Sequence, residues 1–179
     1  MSHMRRLLIW VGVPVALIGL GVGLALFEPW RAFTSSHVDE PLPVAVSQSA
    51  APESTPAAPT TTPPPQPQVL AEGAFVSQEH DTSGTARVLD LGDGSRVLRL
   101  EGFSTSDGPD VHVWLSDATA GGEWGKYDDG RYVALGEIKA TEGNHNYVIP
   151  ADADLTGLNS VVIWCDRFNV AFGSAELAL

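Results

Sequence analysis

The chain has 179 residues, room for one domain plus accessory segments, and a formal net charge of −12. Residues 71–179 hold 18 acidic and 7 basic side chains, a net −11. Such a surface repels phosphate backbones, so it disfavours nucleic-acid binding and suits cations or basic partners. The single cysteine, Cys165, excludes an intramolecular disulfide, a CxxC metal or redox pair and a lipidated cysteine near the N-terminus.

Residues 1–6 form a short basic tail with Arg5 and Arg6; the opening MSHM resembles an expression scar or an alternative start and is set aside. Leu7 to Phe27 has no charged or strongly polar side chain, and about 21 residues at ~1.5 Å rise span roughly 30 Å, a bilayer's hydrocarbon thickness. Trp10 and Trp30 sit where interfacial anchors are expected. Arg5 and Arg6 predict an N-inside, single-pass anchor that leaves the C-terminal domain extracytoplasmic. A cleaved signal peptide is the competing reading. The apolar run is longer than such peptides use, and it ends in Leu-Phe-Glu-Pro-Trp rather than a small-residue cleavage site.

Residues 28–68 read as a polar juxtamembrane segment followed by a disordered, proline-rich linker ending PAAPTTTPPPQPQ. Fully extended, the linker from Pro41 to Gln68 would hold the domain roughly 80 Å from the membrane.

Residues 69–179 read as an all-β domain, an antiparallel sandwich or barrel, because short apolar or alternating runs recur between Gly, Asp and Asn. Strands are expected at Gly73–His80, Gly84–Leu91, Ser95–Glu101, Asp110–Ser116, Arg131–Ile138, Asn144–Ile149, Ser160–Cys165 and Phe168–Glu176. Gly92-Asp93-Gly94 predicts a hairpin turn, and Thr141-Glu142-Gly143 a second turn pairing the runs on either side of it. In Asp110–Ser116, Val111, Val113 and Leu115 face one way, and His112 and Trp114 the other. The longest irregular stretch, Asp117–Gly130, holds Trp124 and Tyr127, placed to cover a core edge or to contact a ligand.

Several runs carry a family resemblance: Gly108-Pro109-Asp110-Val111-His112-Val113-Trp114-Leu115-Ser116, and Val161-Val162-Ile163-Trp164-Cys165-x-x-Phe168-x-Val170-x-Phe172-Gly173-x-Ala175. With Leu98-x-Leu100-Glu101-x-Phe103 and Gly143-x-x-x-Tyr147-x-x-Pro150, they make the folded part resemble the DM-thirteen ("electron transfer DM") domain family. The resemblance implies an extracytoplasmic β module related to haem-binding redox sandwiches. It also implies a cysteine, here Cys165, that acts in electron transfer as a bare thiol or by holding a prosthetic group such as haem.

From the residues alone, Cys165 between Trp164 and Phe168 reads as a buried small hydrophobe with a raised pKa. Arg167 and the nearby strand end favour a thiol that reacts or contacts another molecule. A haem would need an axial ligand; His112 is the candidate alongside Cys165, its alternative and more ordinary reading being a half-exposed sheet residue. His80 and His145 lie near turns and read as solvated polar residues. The acidic turns Asp107-Gly108-Pro109-Asp110 and Asp128-Asp129-Gly130 have local backbone roles and lack the spacing of a calcium loop. No hydrolase or transferase motif is recognisable. Two functions remain: a membrane-held redox carrier using Cys165 with a redox partner, or a non-catalytic envelope binding module with Cys165 in its core.

Overall fold

The computed structural model describes residues 2–28, 30, 34–43 and 66–179. Helix α1 covers Ser2–Phe27, with Pro14 inside it. Its window Trp10–Phe27 has a mean hydropathy of 2.2 and is not buried against the rest of the chain. By length and composition it is able to cross a membrane. The prolines and threonines of 44–65 lie outside the described residues.

Nine strands follow: β1 (His37–Asp39), β2 (Gln68–Ser77), β3 (Ser83–Asp90), β4 (Arg96–Ser104), β5 (Val111–Ser116), β6 (Tyr132–Glu137), β7 (Glu142–Ile149), β8 (Ser160–Cys165) and β9 (Val170–Glu176). They form one curled sheet in the order β1-β7-β4-β3-β2-β9-β8-β5-β6. The curl comes from β2, which pairs with β3 through Gln68–Ala74 and with β9 through Phe75–Ser77. Each half of β2 therefore belongs to a different layer, and the sheet curls over into an open half-barrel with β1 and β6 at its ends. The all-β expectation holds.

Pleat alternation sends one side chain of each pair inward. Val111, Val113 and Leu115 of β5 join Val161, Ile163 and Cys165 of β8, with Leu98, Leu100 and Phe103 of β4, in the core between the layers. Trp114, Val162, Trp164 and Ala171 face outward and are covered by Tyr127 from the 117–130 loop. The hairpin at Gly92-Asp93-Gly94 joins β3 to β4, and Asp90 Oδ1 accepts the Gly92 N–H at 2.7 Å.

Three features depart from the sequence reading. Arg131–Ile138 and Asn144–Ile149 do not pair as neighbours: β6 pairs with β5, and β7 with β4 and β1. The short link 138–141 crosses between layers instead of reversing within one. Phe168 lies in the turn between β8 and β9, not in a strand, and is 47% exposed. The third departure concerns the juxtamembrane segment. Residues 34–43 supply β1, which adds to the sheet edge parallel to β7 with Val38 opposite Gly143. Ser36 O accepts the Glu142 N–H (3.0 Å), and the Glu40 N–H donates to Asn144 O (2.8 Å). Beyond the strand, Glu40 bonds Lys139 Nζ (2.8 and 2.9 Å) and the Asn146 N–H (2.6 Å). Burial alone would raise the Glu40 pKa; the bonds from Lys139 and Asn146 and the Lys139 charge outweigh it and hold the carboxyl below its usual value. This strap belongs to the folded domain.

Candidate functional site

Cys165 is the last residue of β8 and is fully buried. It sits opposite Val111 on β5 and Val170 on β9, so its sulfur shares their inner face. The turn Asp166–Asn169 closes over the strand end, with Asn169 at φ 56°. Burial pushes the thiol pKa up; the backbone amides of Phe168, Arg167 and Asp110 directed at the sulfur offset part of that rise, while the Asp110 charge adds to it. The sulfur is thus desolvated, at a strand end where two turns meet.

Asp110 connects this thiol to its surroundings. Its carbonyl accepts the Asp166 N–H at 2.9 Å, tying the two turns together. Its carboxylate bonds His112 Nε2 at 2.7 Å. Asp110 and Val111 also line a cleft of about 350 Å³ with Ser36, Asp107, Glu137 and Lys139. The strap supplies one wall of that cleft through Ser36.

His112 and Cys165 are one position out of register: His112 faces Trp164, and Val111 faces Cys165. The two side chains therefore lie on opposite faces of the sheet, and the structure does not bring them together. His80 packs against Phe172 with ring centroids 4.0 Å apart and planes tilted by 59°. His145, read from sequence as solvated, is fully buried among Phe103 and Tyr147. Its Nε2–H donates to Glu142 O at 3.0 Å, and Nδ1 has no partner among the described residues. Burial drives its pKa down, against the Glu142 bond and the Glu40 charge, so the ring is neutral. Beside it, burial pushes Tyr147 up to about 12. Tyr127 plugs the outer core through its hydroxyl, 2.8 Å from Ser174 Oγ, while Trp124 in the same loop stays 46% exposed. Among the described residues no three His, Cys, Asp or Glu side chains converge as a metal site.

A family model described as Electron transfer DM13 matches residues 74–177. The chain belongs to the electron transfer DM13 family. No curated protein and no solved structure matches it. The match begins inside β2 and ends just after β9, so it covers Cys165, His112 and His145 but not the strap or α1.

The haem that the family resemblance implies can be tested against these residues. An axial ligand must project into a space that takes the macrocycle. Cys165 is packed against core side chains, His112 points to the other face, and the cleft beside Asp110 is lined by none of Cys165, His112 or His145. The donor set does not fit a haem held by Cys165 and His112.

Proposed function

We propose that this DM13 chain is a single-pass, N-inside membrane protein whose extracytoplasmic β domain takes part in electron transfer through the single thiol of Cys165. Family membership carries the redox reading, and the place of the sulfur at a strand end, beneath a single turn, supports it. α1 and the two arginines before its apolar run support the anchor and its orientation.

Without a second cysteine, thiol chemistry here is intermolecular. After opening of the 166–169 turn, Cys165 loses its proton to solvent. Its thiolate then attacks a partner disulfide, forming a mixed disulfide and releasing the partner's other sulfur as thiolate. A second thiol resolves the mixed disulfide and returns Cys165 reduced. The partner class is therefore a disulfide or thiol of another molecule.

The burial of Cys165 favours a second reading, an envelope binding module in which the cysteine is only core. Equilibrating the full chain in mild detergent with a glutathione–glutathione disulfide couple separates the two. The redox reading predicts a mixed disulfide at Cys165 by mass spectrometry under native conditions. Modification only after denaturation supports the core reading.

A further inference from the structure

Between the end of α1 and the strap, the chain has little slack. Residues 28 to 34 are six steps, a reach of about 20 Å at most. The width of a domain of this size is about 30 Å or more. At the strap's start, Thr34 Oγ1 donates to Asp107 Oδ2 (2.8 Å), and the Ser36 N–H donates to Thr141 Oγ1 (2.8 Å). The tether is thus fastened at the end of the half-barrel formed by the loops at 104–110, 138–141 and 166–169. The proline-rich stretch 44–65 comes after the strap, between β1 and β2, which belong to the same sheet.

That end of the domain carries features suited to a membrane interface. Phe168 is 47% exposed and stacks on Phe27, the last residue of α1, at 6.1 Å and 13°. Arg167 Nη1 donates to Leu26 O at 3.0 Å, satisfying a carbonyl at the negative end of the helix. Trp124, also exposed, accepts the Ala171 N–H through its carbonyl and so lies beside the same turn. Aromatic rings with adjacent polar groups favour the headgroup level of a bilayer. The acidic residues Asp107, Asp110 and Asp166 share this end and suit a zwitterionic surface better than an anionic one.

We propose that this end of the domain rests on the bilayer that α1 crosses, with Phe168 seated at the headgroup level and the turn over Cys165 facing the membrane surface. The proposal rests on the anchoring stated above. It places the approach to Cys165 at the membrane and not in open solvent.

The test uses the full chain in phosphatidylcholine vesicles, with photoreactive benzoylphenylalanine placed at Phe168 or, as control, at Val148. Val148 is apolar and 72% exposed, near the opposite end of β7. Both positions are at the surface, so neither replacement threatens folding. The expected result is several-fold more lipid adduct at 168 than at 148. Equal adducts in a chain that resists alkaline extraction overturn the docking and leave the anchor standing. Loss of the chain on alkaline extraction overturns the anchor itself, and the docking with it.

Discussion

The Gly143→Ala variant probes the strap at its tightest point. Gly143 has φ +111°, and a Cβ built there would lie 1.9 Å from Val38 O of β1. The backbone conformation alone costs a non-glycine residue about 1–3 kcal/mol. The overlap is with main-chain atoms, so it is relieved only if β1 leaves the edge of β7. That forfeits the Glu142–Ser36 and Glu40–Asn144 backbone bonds, each worth about 1 kcal/mol net. The expected loss is therefore about 3–5 kcal/mol. Gly136→Ala supplies the control: φ there is +119°, but a Cβ would meet nothing within 4 Å. It should cost only the conformational part. Urea unfolding of the two variants measures the difference, and hydrogen exchange at the Glu40 and Glu142 amides reports strap release. Equal stabilities, with both amides still protected in Gly143→Ala, would refute the strap's place in the fold.

Cys165→Asp places an uncompensated carboxylate in a fully buried site, and a loss of about 3–5 kcal/mol is expected in urea unfolding; near-wild-type stability would mean the site is open to water. Tyr127→Phe removes the hydroxyl bonded to Ser174 and should cost about 1 kcal/mol, whereas no loss would mean the loop does not plug the outer core. His145 is held neutral by burial, so its folded pKa lies below its unfolded value. The unfolded chain then takes up the proton first, and stability falls as pH drops below about 6.5 towards the folded pKa. His145→Leu should flatten that part of the stability–pH curve; an unchanged slope there would assign it to other groups.

Much of the half-barrel was legible from alternation and turn chemistry. The β5 pattern separated Val111, Val113 and Leu115 from His112 and Trp114, but the register of β5 on β8, which puts His112 and Cys165 on opposite faces, is a long-range pairing that neither strand announces alone. Alternation in Glu142–Ile149 also carried a signal that the turn-based reading of His145 passed over: Gly143, His145, Tyr147 and Ile149 share the buried face. The strap was not legible. His37-Val38-Asp39 has one apolar residue, and its place comes from β7 offering an unpaired edge and from Glu40 meeting Lys139 and Asn146, residues about a hundred positions away. Pairing of that range leaves no local pattern. The environment of Cys165 was half legible: its apolar neighbours announced burial, but the meeting of the turns at Asp110 and Asp166 beside it comes only with the tertiary fold. Phe168 read as core because it continues an apolar run, yet the turn needed after Cys165 puts it outside.

The most direct test of the redox account is the rate at which Cys165 in the native full chain is alkylated, compared with the rate of global unfolding under the same conditions. If the 166–169 turn opens locally to admit a partner, labelling outpaces unfolding and stays insensitive to low urea. Labelling that occurs only at the global unfolding rate would contradict it and leave Cys165 as a core residue.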